Sequence, residues 1–313
     1  MSKSLLVSNP DKAQVILVVD IANLSWKCYH SPLAKYLSCK DYPSYMQHIA
    51  LDKIALCLDF IFSNYRDEKV CLVYSKDEYT DNKKELFPEY KSNRIKKVKT
   101  YKVETEDGIV EKEMNPVEDT SKALSYLPHC NLSIPTKDAE TDDIIATFCR
   151  NHKDKVVYIE SADRDMWQLR SKKRHIIFSE NPFTILTETD VLYSFYNRDN
   201  RLIPVIKTFL GDKSDNLEGM SYVTEEFISS LSYENYKGKI KKILNHIIDE
   251  CEDSKICKSV HENFERLVKL HSIIKLNKHL SIKEEYVKGR YSSFLKFLEK
   301  RKIEQPKILK LWI

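Results

Sequence analysis

Acidic residues recur in this 313-residue sequence at positions that a folded chain would bring together. They lie after apolar runs, in an acid-led helical stretch, and in a short turn after another helical stretch: Asp20, Glu140, Asp142, Asp143, Asp163, Asp165, Asp212 and Asp215. Crowded carboxylates repel one another unless cations join them. Magnesium takes a few carboxylate oxygens and keeps several waters. The eight acids therefore indicate a divalent-metal site.

The elements that would position these acids alternate between strands and helices. Apolar runs and periodicity predict strands at Val15–Val19, Val70–Tyr74, Lys155–Ile159 and His175–Phe178, and helices at Met46–Tyr65, Glu118–Leu127 and Ala139–His152. This alternation predicts an α/β fold, with a doubly wound, mostly parallel sheet and helices on both faces. Beyond Thr187 the pattern is helical to the end, which predicts a helical C-terminal region.

Ligands of such sheets bind at the carboxyl ends of the strands, and several of the acids directly follow strands. Ordinary explanations also exist for each group. Residues 140–143 would oppose the helix dipole, residues 212–215 are typical of a turn, and Asp163 with Asp165 could begin a helix. All eight together favour a site of two ions about 3.5–4 Å apart, which would activate a water and stabilise the leaving oxygen of a phosphodiester.

Basic residues are unevenly distributed, although the net charge is only +4. Residues 83–102 contain eight basic and two acidic residues, and further basic stretches cover Lys237–Lys242 and Lys296–Lys310. Without the eight acids of the predicted site, the remaining chain carries +12, a surplus that favours a phosphate backbone. The five glycines form neither a GxGxxG loop nor a P-loop, which excludes a glycine-rich phosphate cradle.

Cysteine usage and hydropathy bear on the compartment. The eight cysteines form no CxxC pair, so we interpret them as reduced core cysteines of a cytoplasmic protein. No apolar run reaches membrane-spanning length, and residues 1–11 lack the apolar core of a signal peptide. We therefore expect no membrane partner.

Five motifs carry a resemblance to a known family, and they occur in order at Val18–Leu24, Glu89–Arg94, Ala139–Asp143, Glu160–Leu169 and Leu210–Asn216. The sequence resembles the flap endonuclease (5′–3′ exonuclease) family, most closely the branch of T-even bacteriophage ribonucleases H. The resemblance implies a nuclease that uses two Mg²⁺ ions, which Mn²⁺ can replace. Its substrates would be flaps, nicked or 5′-ended duplex DNA and RNA–DNA hybrids, as in primer removal during replication. It also implies a catalytic domain at 1–216, with a basic helical arch around 83–115, and a helical DNA-binding region at 217–313.

The resemblance also assigns roles to individual residues. The eight acids would bind or orient the metals, with Asp143 supporting the others. Lys91 and Arg94 would contact the scissile phosphate, while Tyr90 would stack on a displaced base, as aromatic platforms do beside cations. Further DNA contacts are expected from basic residues of the arch and the C-terminal region, at Lys83, Lys84, Lys96, Lys97, Lys237, Lys239, Lys241 and Lys242.

Two departures from the family pattern stand out. Ser75 occupies the position where family members place an aspartate after the second strand, and Asp77 follows two residues later; a hydroxyl binds magnesium more weakly than a carboxylate. The segment Leu217–Glu226 contains one glycine where most members have a glycine-rich helix–hairpin–helix.

Two alternatives remain open: a PIN-like ribonuclease, and an inactive module that binds branched DNA. We expect a monomer in the cytoplasm (the host's, for a phage protein). A single-strand-binding protein or a sliding clamp is a possible partner.

Overall fold

The computed structural model describes residues 5–31, 41–75, 82–93, 100–105, 108–135, 139–178, 183–194, 199–250, 254–304 and 306–309. The strands are β1 (Leu6–Val7), β2 (Val15–Asp20), β3 (Val70–Ser75), β4 (Thr100–Thr105), β5 (Gly108–Glu113), β6 (His129–Ser133), β7 (Val156–Glu160), β8 (Arg174–Phe178), β9 (Thr184–Ile185), β10 (Gly211–Asp212), β11 (Leu217–Glu218) and β12 (Lys283–Val287).

The α-helices alternate with the central strands and then dominate the C-terminal third. They are α1 (Ile21–Tyr29), α2 (Tyr42–Asn64), α3 (Asn82–Leu86), α4 (Pro116–Leu124), α5 (Thr141–Asn151), α6 (Glu188–Ser194), α7 (Ile203–Leu210), α8 (Glu225–Ser230), α9 (Tyr233–Tyr236), α10 (Ile240–Glu250), α11 (Ser254–Glu262), α12 (Phe264–Ile274) and α13 (Tyr291–Arg301). In the described residues, no helix combines the length and apolarity needed to cross a membrane.

The main sheet has the strand order β12-β6-β3-β2-β7-β8-β9, and β1 pairs with β3. The pairs among β1, β2, β3, β6, β7 and β8 are parallel, whereas β9 and β12 pair antiparallel at the two edges. Parallel neighbours in non-sequential order require crossover connections, and the helices supply them. The predicted fold class, a mostly parallel doubly wound sheet, is confirmed.

Strand β2 shows why both faces of the sheet are covered. Its residues are all buried, and successive side chains point to opposite faces. Ile16 and Val18 belong to the core beneath α5, α7, α10, α11 and α12, whereas Val15, Leu17 and Val19 belong to the core beneath α1, α2, α4 and α13. A continuous apolar run of this kind is typical of a parallel strand buried on both faces.

The predicted helical C-terminal region is confirmed as a whole, but the chain beyond Thr187 is not helical at the short β10–β11 hairpin or at Lys283–Val287. This segment forms β12 and pairs antiparallel with β6, so the C-terminal region contributes a strand to the main sheet. Its sequence, Lys-Glu-Glu-Tyr-Val, is too charged to resemble a buried strand. An edge strand is solvated, however, and tolerates such charge.

The helical arch predicted around 83–115 is also wrong over most of its described length. Helix α3 covers only Asn82–Leu86, while β4 and β5 form an antiparallel hairpin that sets Lys102 opposite Glu111. Gly108 begins β5 with a φ of 119°, a conformation that favours glycine at the turn. The alternating and β-branched sequence of Thr100–Thr105 is the strand signal that a basic composition obscured.

Candidate active site

The site is built on the carboxyl end of β2. Asp20 ends this strand and caps α1, accepting hydrogen bonds from the Asn23 backbone N–H at 3.0 Å and the Ser161 hydroxyl at 3.1 Å. Ser75 ends the neighbouring strand and is paired in register with Asp20, and Ser161 directly follows β7. Three adjacent parallel strands therefore end at one edge, where open α/β sheets bind ligands.

Three acids meet at the start of α5, and we call Glu140, Asp142 and Asp143 the helix cluster. Glu140 is the N-cap residue and the two aspartates lie in the first turn. One carboxylate oxygen from each lies within 4.8 Å of the others. The positive end of the helix dipole favours negative charge here. Nevertheless, three carboxylates at this distance require further positive charge.

Lysine side chains supply charge to the helix cluster. The Nζ of Lys83 lies 2.6 Å from Glu140 Oε2 and 3.1 Å from Asp143 Oδ2, and the Nζ of Lys91 also contacts Glu140. The Tyr90 hydroxyl donates to both oxygens of the same carboxylate, at 2.7 and 2.9 Å. Glu140 is therefore the member with the most donors.

The pKa values of the helix cluster reflect this distribution of donors. Burial alone would raise the pKa of each carboxyl group, because the charged form loses hydration. At Glu140 the two lysines outweigh burial and lower the pKa to about 2. At Asp142 and Asp143 burial outweighs Lys83, and both pKa values lie above the usual range. Two of the three carboxylates are thus poorly compensated, as expected at a position suited to a divalent cation.

A second group of acids, Asp165, Asp212 and Asp215, is the hairpin cluster, and its oxygens also lie within 4.8 Å of one another. Asp165 comes from a 3-10 helix after β7, while Asp212 ends β10 in the small β10–β11 hairpin. Gly211 enters this hairpin with a φ of 80°, and a Cβ there would collide with the backbone of Gly219. The glycine is therefore required to position Asp212.

Lys207 lies between two members of the hairpin cluster. Its Nζ donates to Asp165 Oδ1 at 2.6 Å and to Asp212 Oδ2 at 2.7 Å. Burial raises the pKa of Asp165 to about 6 against the opposing charge of Lys207, and the negative charge of Asp163 adds to the rise. At Asp212 burial is outweighed by Lys207 and by hydrogen bonds from Ser214, which lower the pKa.

Lys91 connects the two clusters. Its backbone N–H donates to the Asp215 carbonyl at 2.7 Å, and its Nζ contacts Glu140 and lies 4.0 Å from Asp215 Oδ2. Its φ of 53° holds the backbone in the left-handed region. The six cluster members are carboxylates without His or Cys, a donor set that suits Mg²⁺ or Mn²⁺. Two carboxylate clusters that could each hold a divalent ion thus flank one lysine.

A family pattern described as the 5′–3′ exonuclease, N-terminal resolvase-like domain, matches residues 15–196, more than half of the chain. The chain belongs to the 5′–3′ exonuclease family. The match contains β2, β3, α5 and β7, and with them the helix cluster, Asp165 and Lys91. The hairpin acids Asp212 and Asp215 lie beyond it.

Similar proteins include a 5′–3′ exonuclease of Halalkalibacterium halodurans, 33% identical over 140 residues, which are 42% of this chain and 43% of that relative. The matched region is therefore less than half of the relative's length. Among solved structures, the T5 D15 protein co-crystallised with metal ions has a TM-score of 0.57 at 17% identity, covering 96% of this chain and 100% of that one. The bacteriophage T5 D15 flap endonuclease in a pseudo-enzyme–product complex with DNA and metal ions has 0.55 at 16%, covering 84% and 89%. At these identities the likeness concerns the fold.

The structure of this exonuclease-family chain unites six of the eight predicted acids in the two clusters. Asp20 and Asp163 lie outside both groups of three. Asp20 remains at the same sheet edge, and Asp163 is exposed, with Oδ1 accepting the Asp165 backbone N–H at 2.8 Å. The metal roles of these two aspartates stay predictions.

The structure differs from two of the predicted DNA contacts, those of Tyr90 and Lys83. Tyr90 was predicted to stack on a base, but its ring is only 3% exposed because the hydroxyl is bound to Glu140 and the ring packs with Phe87 and Leu217. This arrangement leaves no ring face for a base. Lys83 was predicted to contact DNA, but its ammonium group is paired with Glu140 and Asp143 instead, since buried carboxylates attract the nearest cation.

The other predicted positions are distributed as follows. Lys84 is exposed on α3, and the lysines of the C-terminal stretch are exposed before and within the first turn of α10, at Lys237, Lys239, Lys241 and Lys242. Four predicted positions lie outside the described residues: Asp77, Arg94, Lys96 and Lys97. Ser75 is 1% exposed, and its hydroxyl has no hydrogen-bond partner among the described residues. It lines a polar cavity of about 350 Å³ and belongs to neither cluster.

Sequence reasoning missed one residue of this site, and it did not consider a second residue on α1. Lys207 is the lone cation in the apolar helix α7, five residues before Asp212, and that isolation was a usable signal. Trp26 lies on α1 six residues after Asp20 and is 57% exposed, with its ring stacked on His30 at a centroid distance of 5.7 Å. An exposed tryptophan one and a half turns from a predicted metal ligand could have been recognised as a candidate base-stacking residue.

Proposed function

We propose that this chain is a magnesium-dependent 5′ nuclease that hydrolyses phosphodiester bonds in flaps, nicked or 5′-ended duplexes and RNA–DNA hybrids. The observation that carries the proposal is the position of Lys91 between two three-carboxylate clusters. Carboxylates that could hold two cations beside a lysine form a set of charges complementary to a phosphodiester and its transition state.

The helix and hairpin clusters would each hold one Mg²⁺, with Mn²⁺ as a substitute, and Asp20 and Asp163 would complete the ligand set. Bound at these positions, the ions would supply Lewis-acid chemistry that activates a water and stabilises the leaving oxygen. Lys91 would contact the scissile phosphate and stabilise the charge that develops there. Arg94, three residues further along, would give a second phosphate contact, and Asp143, bonded to the Asn277 backbone N–H at 2.7 Å, would support the helix cluster.

Trp26 would take the base-stacking role that the buried ring of Tyr90 cannot take. Stacking on one aromatic ring is worth about 1–3 kcal/mol per base. Trp26→Ala should therefore weaken the binding of a single-stranded flap about tenfold, while Trp26→Phe should retain most of the affinity. Equal affinity of both variants and the parent chain would exclude this role.

Duplex DNA would be bound by the C-terminal region, residues 217–313, through its exposed lysines at Lys237, Lys239, Lys241 and Lys242. Lys84 on α3, and Lys96 and Lys97 further along the sequence, would add contacts. From the likeness of the sequence to T-even ribonucleases H, we also propose that the protein removes RNA primers in replication. We further propose that it is a cytoplasmic monomer, with a single-strand-binding protein or a clamp as its partner. A helix-start turn with several lysines provides positive charge for a phosphate backbone.

The test of this function is digestion of nicked, flapped and RNA-primed duplexes, labelled at either end, with and without Mg²⁺. We expect metal-dependent products released from the 5′ end. Release from a free 3′ end would overturn the proposal, and so would equal cleavage in EDTA.

A second candidate function, a branched-DNA-binding module without cleavage, is favoured by Ser75. This buried hydroxyl stands where the family resemblance places an aspartate, and one ion could be bound too weakly to act. The digestion assay separates the two functions directly. For an active enzyme, Ser75→Asp should lower the Mg²⁺ concentration at half-maximal cleavage, and Asp77→Ala should raise it if Asp77 reaches the site. If Ser75→Asp cleaves and the parent chain does not, the parent chain is a branched-DNA-binding module without cleavage activity.

A further inference from the structure

A basic cleft extends along α5 away from the carboxylate clusters, and one of its lining residues, Gln168, donates to Asp165 at 3.4 Å. It encloses about 600 Å³ between the second half of α5, the turn that leads into β8, and the segment after α12. Eight of its thirteen lining residues are Lys or Arg, and none of the lining residues that the structure describes is acidic. Helix α5 links the two places, because it begins at the helix cluster and ends beside the cleft.

Several of these cations have structural partners. Arg174 donates to the Cys149 carbonyl at 2.6 Å and so satisfies the end of α5, while Arg201 pairs with Asp199 at 2.6 Å. Four others form no ion pair with any residue in the described ranges: Arg150, Lys153, Lys172 and Lys278. The cleft therefore has more positive charge than the fold itself neutralises.

Lys278 shows that this surplus is costly. Burial lowers the pKa of its ammonium group, and the neighbouring cations Lys275 and Arg174 lower it further. Positive groups that repel one another in a partly dehydrated cleft gain stability when an anion binds among them. The arrangement is thus better suited to a bound anion than to solvent.

The shape of the cleft selects among polyanions. Ala146, Cys149 and Leu169 line the cleft but are only 1, 4 and 6% exposed, so its open surface comes mainly from the long basic side chains, and none of these three offers an apolar anchor for a peptide. A peptide would need such an anchor, because affinity at protein interfaces is concentrated in buried apolar contacts. A phosphate backbone needs only cations spaced along its path, and the four unpaired cations come from three separate segments.

We propose that the far end of this cleft, at the end of α5 and the start of β8, binds the phosphate backbone of the duplex that flanks the cleavage site. The inference rests on the proposed nuclease function for its position relative to the cut. The eleven residues of α5 separate the far end of the cleft, at Lys153, from the helix cluster by roughly 16 Å at 1.5 Å per residue. Phosphates are spaced about 3.4 Å apart along each strand. A duplex arm must therefore extend about five base pairs from the cut to reach the far end of the cleft.

The test compares Lys153→Ala/Lys172→Ala with the matched double variant Arg66→Ala/Lys69→Ala, whose exposed basic residues lie between α2 and β3, outside the regions proposed to bind DNA. Binding of flap substrates with arms of 4 and 16 base pairs is measured by fluorescence anisotropy in EDTA over a series of KCl concentrations. With the long arm, the cleft variant should lose about 1.8 from the slope of log affinity against log salt, at about 0.9 per lost contact. With the short arm, it should match the parent chain.

Three results would overturn the inference: an unchanged slope on the long arm, equal losses on both arms, or unchanged DNA binding with loss of binding to a poly-glutamate peptide. The last would assign the cleft to an acidic protein segment. Because binding is measured without cleavage, a parent chain that binds but does not cut would refute the nuclease proposal, and the salt slopes would still decide the role of the cleft.

Discussion

The two carboxylate clusters each contain three acids but are constructed in opposite ways. The helix cluster comes from four consecutive residues at the start of α5, and two distant lysines, Lys83 and Lys91, approach it from outside. The hairpin cluster is assembled from separate segments, and its countercharge, Lys207, belongs to the helix that leads into the same hairpin. The acids of the helix cluster are close in sequence and its lysines are distant, whereas the hairpin cluster joins Asp165 to two acids of the hairpin and its closest lysine, Lys207, is near the hairpin in sequence.

This difference determines how each cluster should respond to the loss of one lysine side chain. In the helix cluster, loss of one lysine leaves another in contact with Glu140. In the hairpin cluster, Lys207 is the one lysine or arginine paired with Asp165 and Asp212 among the described residues. The helix cluster should therefore tolerate loss of a cation better, although both should be equally necessary for a two-metal reaction.

The largest effect is expected when one acid of either cluster is neutralised. Asp142→Asn and Asp212→Asn should each reduce Mg²⁺-dependent cleavage by at least about 100-fold, because changes to groups that merely support metal ligands already cost 10–100-fold. Steady-state cleavage of a flap substrate measures this loss. Asp154→Asn, at a carboxylate that is 71% exposed, is the control and should cleave normally. A strong loss in only one of the two cluster variants would show that a single cluster suffices.

The next effect separates the clusters by their cations. In EDTA, Lys207→Met should lower the free energy of unfolding by about 3 kcal/mol, the cost of leaving buried charges without their partner. Lys83→Met should cost less, because Lys91 remains beside Glu140. Urea denaturation measures both, with the exposed Lys258→Met as control, and added Mg²⁺ should reduce the losses because it binds the folded chain. Equal losses would remove the proposed distinction between local and remote cations.

A smaller effect should appear in the pH dependence of metal-free stability. The folded pKa of Asp165 is raised to about 6 from 3.8, so ionisation of this group destabilises the fold, and the cost grows as pH rises from about 4 to 6. Glu140 has the opposite sign: its lowered pKa of about 2 contributes stability above pH 4.5 that is lost as pH falls towards 2. Asp165→Asn should therefore gain on the order of 2 kcal/mol at pH 7 relative to pH 4, compared with the parent chain. Parallel stability curves for the two chains would contradict this.

The smallest expected change concerns Tyr90. Tyr90→Phe keeps the buried ring but removes the hydroxyl that donates to Glu140, which should cost about 1 kcal/mol of stability. Cleavage should fall only a few-fold, since the metal ligands remain. A strong loss of single-strand binding by Tyr90→Phe, with stability unchanged, would instead restore the original stacking hypothesis for this residue.

The same comparison shows what the sequence could predict. The helix cluster was predictable because its acids lie within four residues at the start of a helix, and β2, β3, β7 and β8 were predictable from their apolar runs. Their common sheet edge followed from the rule for parallel strands. The six clustered acids were found for these reasons.

Features that depend on tertiary contacts were not predictable. The role of Lys83 follows from a carboxylate 57 residues away, and the burial of Tyr90 follows from the same Glu140 and from residues of α12. Strand β12 and the hairpin β4–β5 are solvated and charged, so hydropathy does not reveal them. Pairing with β6 gives β12 its conformation, as edge strands take theirs from their neighbour.

The central claim is that each cluster holds one divalent ion. The most direct measurement is an anomalous difference map at the manganese absorption edge, from crystals of the parent chain grown with Mn²⁺. The account predicts one peak within ligand distance of Glu140, Asp142 or Asp143, and a second within ligand distance of Asp165, Asp212 or Asp215. A map with no peak at either cluster, at full occupancy of Mn²⁺ elsewhere in the crystal, would contradict it.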